Sequence, residues 1–305
     1  MKSKKLLFGL LGIAILASSC YTEVIVEDDF IVESPINTDR VLQSYDLWYV
    51  DIDATDGNGE VPFLQRAFTI SFENGVVLAN NNIVGIGKTG GGLGIDVGVY
   101  STLSGVVEID HDIDGLWSLD VFAVNNSTIE LYDPRSRTSY FLNGYRRSNF
   151  DYDRVFYENI NYFLQEYDAW EKTFTSEVGA LNEFDDENYL QFFSDNGGYF
   201  RSSIDNIGTP LANLQWDYEG DYEVFDTNDE TLKTLTLDYD FLDNDYFELY
   251  VIDDSTIELY HVASETVYEF GGRGFLQFLK SENKVGKKRV KSSNKKMNVT
   301  RKRKM

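Results

Sequence analysis

Polar and apolar residues alternate along much of this chain. Phe68, Ile70 and Phe72 are separated by Thr69 and Ser71, and Asn74-Gly75 follows. Alternation at period two puts successive side chains on opposite faces of a strand, and Asn-Gly is a strong hairpin signal. Further on, Val107, Ile109, His111 and Ile113 alternate with Glu108, Asp110, Asp112 and Asp114. Leu235, Leu237, Tyr239 and Phe241 do the same against Thr236, Asp238 and Asp240. Asn125-Asn126 and Asp253-Asp254 mark later turns. Short strands at regular spacing predict an all-β chain, built as sandwiches or barrels. The stretch from Phe156 to Glu171 is the one that reads as helical.

The pattern occurs twice. Ser127-Thr128-Ile129-Glu130-Leu131-Tyr132 returns unchanged as Ser255-Thr256-Ile257-Glu258-Leu259-Tyr260, an offset of 128. Asp110 and Asp112 pair with Asp238 and Asp240 at that offset, and Thr138, Tyr140 and Gly144 with Thr266, Tyr268 and Gly272. Nearer the start of each copy the offset is 122: Leu42–Trp48 matches Leu164–Trp170, and Asn74-Gly75 matches Asn196-Gly197. Two copies are too few for a solenoid, which needs about three. The expected layout is a β domain over 39–148, a linker over 149–160 and a second β domain over 161–280, with a short helical segment before the second.

The ends differ from this body. Lys2, Lys4 and Lys5 precede an apolar run from Leu6 to Ala17, and Ser18-Ser19-Cys20 follows. A basic start, a short apolar run and small residues before a cut make a secretory signal, and the run is shorter than the roughly 20 residues a spanning helix needs. Cys20 is the single cysteine of 305 residues, so it has no disulfide partner within the chain. The ending Leu16-Ala17-Ser18-Ser19-Cys20 resembles a bacterial lipobox. That implies a signal peptide over 1–19, lipidation of Cys20 and an acidic tether over 20–38.

Residues 21–280 hold 13 of the 27 Lys+Arg but 50 of the 51 Asp+Glu, a net charge of −37. Such a field repels nucleic acid and anionic lipid, so nucleic acid is excluded as a partner of the body. The tail, 281–305, reverses the sign, with 11 Lys+Arg against Glu282. It has no apolar periodicity and is expected to be disordered.

Each copy opens with a Trp ahead of its strands, Trp48 and Trp170. Each closes on Arg, at Gly144-Tyr145-Arg146-Arg147 and Gly272-Arg273. In this the chain resembles the small lipocalin-like domains of exported Bacteroidota proteins, and as a whole it is similar to flavobacterial lipoproteins. The resemblance implies two tandem antiparallel lipocalin-like barrels. It also implies a cation–π contact at each base, Trp48 with Arg146 or Arg147 and Trp170 with Arg273. Asp46 and Asp168 stand where the lipocalin Gly-x-Trp has its glycine. Likeness at that level also brings in nicotinate-nucleotide adenylyltransferase as an activity. Its phosphate-binding His-x-Gly-His loop is absent, since the two histidines, His111 and His261, lie far apart.

Three further motifs bear on chemistry. Gly85-Ile86-Gly87-Lys88-Thr89-Gly90 fits Gly-x-Gly-x-x-Gly, but it runs on into Gly91-Gly92-Leu93-Gly94 and a strand-like stretch rather than a helix. It therefore reads as a hairpin loop, not a phosphate cradle. Asp110-x-Asp112-x-Asp114-Gly115 matches the first half of a calcium loop, with Val121 at the twelfth position where a bidentate Glu belongs. Calcium is the candidate cation, and no cofactor is expected. No serine is marked as a nucleophile.

The expected function is a non-enzymatic cell-envelope lipoprotein with a binding or scaffolding role. It would be held in the bacterial outer membrane through Cys20, facing the periplasm or the cell surface. Its expected partners are a small apolar ligand, a glycan or an envelope protein. The alternative is an envelope glycan hydrolase using a carboxylate pair between the domains.

Overall fold

The structure is a computed structural model and describes residues 37–193, 198–276 and 289. After a short helix α1 (Thr38–Leu42), the first copy runs through β1 (Leu47–Asp56), β2 (Thr69–Glu73), β3 (Val76–Asn80) and β4 (Ile95–Leu103). It continues through β5 (Val106–His111), β6 (Gly115–Ala123), β7 (Thr128–Asp133) and β8 (Thr138–Tyr145). Helices α2 (Tyr152–Glu158) and α3 (Ile160–Leu164) lead into the second copy. That copy comprises β9 (Tyr167–Thr175), β10 (Tyr189–Phe193), β11 (Tyr199–Ser203), β12 (Tyr218–Asp226), β13 (Lys233–Tyr239), β14 (Asp245–Asp253), β15 (Thr256–His261) and β16 (Thr266–Phe275). Each copy is a closed barrel of eight antiparallel strands. Closure removes the exposed sheet edges that an open sandwich would leave.

The first strand of each barrel makes the closure. Trp48 faces Ile70 on β2 and Gly144 on β8, and Trp170 faces Leu190 on β10 and Gly272 on β16. Strand alternation sends Trp48, Val50 and Ile52 inward, where they are buried. Both indoles are fully buried, and each Nε1 donates at 2.8 Å to the last residue of the preceding helix, Leu42 O or Leu164 O. The opposing residue must be glycine. A Cβ on Gly144 would lie 2.3 Å from the Tyr45 ring, and one on Gly272 2.6 Å from the Tyr167 ring. Tyr45 and Tyr167 in turn donate to the turn before the seventh strand, at Asn126 O and Asp254 O. These contacts of the Trp, Gly and Tyr at one base thus repeat at the other.

The repeated hexapeptides lie over β7 and β15, the seventh strand of each barrel. Equivalent backbone bonds sharpen the alignment. Val50 N donates to Phe68 O as Lys172 N donates to Asn188 O, so the offset narrows from 122 at the first strand to 120 at the second. Asn196-Gly197 lies outside the described residues, as do residues 1–36 and all of the tail but Arg289. The helical reading of 156–171 holds only to Leu164. Tyr167–Glu171 is strand, because β9 is paired on both sides, to β10 and β16. At the other end of the alternating runs, β5 stops at His111 and β13 at Tyr239, so Ile113 and Phe241 fall in turns.

The barrels pack on each other through the linker helices. Leu47, Tyr49, Phe68, Ile83 and Ile86 on the outside of barrel 1 join one apolar cluster with Val155, Phe156, Ile160 and Phe163 of α2 and α3. That cluster continues into the barrel 2 core at Trp170, Phe200 and Phe270. Buried Glu166 accepts from Ile83 N and Val84 N, both at 2.8 Å, and so fastens a barrel 1 loop to the start of barrel 2.

Candidate functional site

Outward-facing residues of β1 and β8 make one wall of a cleft between the barrels. Inward Trp48, Val50 and Ile52 leave Tyr49, Asp51 and Asp53 pointing out, and Asn143 and Tyr145 stand beside them on β8. Helix α2 supplies the second wall through Asp151, Arg154, Tyr157 and Glu158. Asp226 and Lys233, an ion pair at 2.6 Å that closes the β12–β13 hairpin, form the far end. The space measures about 350 Å³. Its lining combines the rings of Tyr49, Tyr145, Phe150 and Tyr157 with five carboxylates and two cations.

Carboxylates of this lining already serve local structure. Asp151 caps α2 by accepting from Arg154 N, and Asp51 accepts from Ala54 N. Glu158 pairs with Arg154 at 2.5 Å, and Asp226 with Lys233. Burial pushes the Tyr49 hydroxyl up to about 12, against the nearby positive charge of Arg289. That hydroxyl accepts from Asn159 Nδ2 at 3.1 Å. It remains a neutral phenol at physiological pH, able to hydrogen-bond but not to act as a base.

The residues singled out from sequence fall in several places. Arg146 lies over the Tyr45 ring at 5.4 Å, and Tyr45 stands edge-on to Trp48 at 5.2 Å. Arg147 reaches Gly91 O. Arg273 pairs with Glu171. The cation–π contacts expected on Trp48 and Trp170 are therefore displaced, because both indoles point into the barrels while the arginines stay at the rim. Among the described residues, the tryptophans that do carry such a contact are Trp117 under Arg135, at 4.4 Å, and Trp216 under Arg201, at 4.3 Å.

Asp110 and Asp112 are exposed, whereas Asp114 is engaged by Arg66. Among the described residues no group of three His, Cys, Asp or Glu side chains is placed to hold a metal ion. The glycine-rich loop serves the junction. A Cβ on Gly87 would lie 2.9 Å from the Tyr152 ring, and Lys88 pairs with Asp254 of barrel 2. Amides of Lys88, Thr89, Gly91 and Leu93 bond to carbonyls of the same loop. Cys20 lies outside the described residues.

One arrangement imitates a hydrolase. His261 Nδ1 lies 2.7 Å from Ser264 Oγ, and Nε2 lies 3.1 Å from Asp245. The duplication supplies an internal control. Ser264 Oγ donates to Thr266 Oγ1 at 2.8 Å, and in barrel 1 Ser136 Oγ bonds Thr138 Oγ1 at 3.0 Å and Asp133 at 2.7 Å. The same turn forms with an aspartate in the histidine's place. Ser264 is 6% exposed, so the trio ties down a turn and offers no nucleophile to substrate.

Barrel 2 carries a buried charged group that sequence reading missed. Lys172 and Glu187 are each 3% exposed, and their barrel 1 equivalents are Val50 and Ala67. Lys172 Nζ donates to Asp185 O at 2.8 Å and Phe184 O at 3.3 Å. The Glu187 carboxylate accepts from Tyr239 OH at 2.9 Å on both oxygens. Burial pulls Lys172 down to about 8, opposed by the charges of Glu187, Asp185 and Asp186. Burial pushes Glu187 up to about 7, opposed by its hydrogen bonds and by Lys172. The signal was available for Lys172, which replaces Val50 at the sequence offset of 122, but not for Glu187, which meets Gln65 at that offset and Ala67 only in the structural alignment.

Compared with known proteins, the chain matches no family model and no curated protein.

Proposed function

We propose that this chain is a non-enzymatic, lipid-anchored protein of the bacterial cell envelope whose paired barrels bind a glycan in the cleft between them. The observation that carries this reading is the division of space. Inside barrel 1, Trp48, Tyr140 and Leu131 are fully buried; inside barrel 2, Trp170, Phe200 and Phe270 are too. Packed interiors favour a surface site over an enclosed apolar ligand. The cleft offers ring faces beside carboxylate and amide acceptors, which suits a ligand of C–H faces and hydroxyl edges.

The hydrolase reading draws on the same carboxylates. It needs one to protonate a leaving group and another to attack or to activate water. Asp51, Asp151, Glu158 and Asp226 hold helix, turn or hairpin in place, which favours recognition over acid–base work. Titration calorimetry with cello-, chito- and malto-hexaose, followed by a reducing-end assay, separates the two readings. Binding without new reducing ends supports the proposal, and cleavage supports the hydrolase.

Anchoring rests on Cys20 and its lipobox-like context. More than one acyl chain at Cys20 would hold the protein stably, which a single chain does not. Cys20→Ser should move the protein from the membrane fraction and leave the signal uncut. Equal membrane partition of both forms would remove the anchor from the account.

A further inference from the structure

β1 and the segment leading to β2 separate beyond the bond from Val50 N to Phe68 O, the next residues after the Tyr49–Thr69 pair. The separation leaves two carbonyls, Val50 O and Ala67 O, facing one point. A guanidinium fills it. Arg289, from the basic tail, is 2% exposed, and its Nη1 donates to Val50 O and Ala67 O, both at 2.7 Å. Nη2 donates to Asn159 Oδ1 at 3.0 Å and to Tyr49 OH at 3.3 Å. The planar group lies over the Phe68 ring at 4.5 Å and the Tyr49 ring at 5.5 Å. Its backbone N–H donates to Gln65 O at 2.8 Å.

We infer that this socket is a recognition site for an arginine side chain, and that its occupant is the chain's own Arg289. The chemistry is selective. Every hydrogen-bond acceptor is neutral: two backbone carbonyls, an amide oxygen and a phenol. A buried cation held without a paired carboxylate must draw its stabilisation from directed hydrogen bonds and ring faces. A planar fork can reach two carbonyls with one nitrogen and two side chains with the other. An ammonium, with three donors at one point, cannot span those four acceptors.

The socket also joins parts of the molecule. Val50, Ala67 and Phe68 belong to barrel 1, and Asn159 sits between α2 and α3. Tyr49 belongs to both socket and cleft, since its ring also lines the space between the barrels. A docked arginine therefore fixes the linker helices against barrel 1 and holds the Tyr49 hydroxyl. The socket assignment stands whether or not the cleft binds a glycan.

The test uses the full chain carrying R289A and a probe for the missing atoms, ethylguanidinium. The thermal midpoint of R289A should fall and then recover saturably with millimolar ethylguanidinium. Ethylammonium should be weaker by roughly tenfold or more, as expected for loss of at least one charged hydrogen bond. The wild type, with its socket filled, should show no saturable response, and its midpoint should not depend on protein concentration. Equal responses in R289A and wild type, or equal action of the two cations, would overturn the inference. A concentration-dependent wild-type midpoint would assign the guanidinium to a second copy and overturn the occupant. Should R289A fail to fold, R289K decides: a lowered midpoint is expected, and a wild-type midpoint would overturn the site.

Discussion

Glu187→Gln changes one atom in the buried group of barrel 2, and its effect on stability should depend on pH. Gln keeps an oxygen for the Tyr239 hydroxyl but carries no charge. The Glu187 carboxyl is raised from 4.5 to about 7 by burial. A raised carboxyl pKa means that the folded state binds the proton more tightly than the unfolded chain. Its favourable contribution is fully present below about 4.5 and is lost as pH rises through about 7. At roughly 1.36 kcal/mol per pKa unit, the cost of ionising Glu187 in place reaches about 3 kcal/mol. Lys172 runs the other way. Lowered to about 8, it contributes fully above its ordinary value near 10.5 and loses that contribution as pH falls through about 8. Wild type therefore carries both penalties between about pH 7 and 8.

Urea denaturation followed by tryptophan fluorescence, from pH 4.5 to 9, measures the difference. Glu187→Gln and wild type should have similar stability near pH 4.5, and the mutant should gain up to about 3 kcal/mol by pH 8. For a body of this size that is roughly 6–12 °C in thermal midpoint. A difference that does not change with pH would refute the reasoning, because it would mean Glu187 ionises as freely in the fold as in the unfolded chain.

Two other changes probe the scaffold. Ser264→Ala and Ser136→Ala should each cost about 1 kcal/mol in denaturation, because each removes the same turn bond. A much larger effect at Ser264 on a hydrolytic activity would restore it as a nucleophile. Glu166→Ala orphans the buried amide of Ile83 and the half-buried amide of Val84, and should cost about 3 kcal/mol. A loss under 1 kcal/mol would mean that the loop finds other acceptors.

The barrels were legible because strands such as β5, β7 and β15 alternate cleanly and one hexapeptide recurs unchanged. Trp48 and Trp170 were legible as base residues because they occupy the same place in the two copies, 122 residues apart. Their arginine partners were not. Whether an arginine stacks on an indole or on the tyrosine in front of it depends on which face of the first strand turns inward. The helix forecast overran into β9 because Tyr167–Glu171 owes its conformation to pairing with β10 and β16, which no local pattern contains. The cleft escaped for the same reason: its walls come from β1, β8, α2 and the β12–β13 hairpin. Asp51 and Asp53 looked like one more polar strand face. Arg289 was hidden in a run of like charges, where composition speaks for the tail as a whole and cannot mark one residue.

The central claim is that recognition lies between the barrels and not within them. The most direct measurement is hexasaccharide titration against the wild type, Tyr145→Ala and Asp53→Asn, with a reducing-end assay on the same mixtures. Both changes sit on the outward face of barrel 1 and leave its interior packing alone. The account predicts that one of the cello-, chito- or malto-hexaoses binds, that each change weakens it roughly tenfold or more, and that no reducing ends appear. Binding that both variants keep unchanged, or cleavage that Asp53→Asn abolishes, would contradict it.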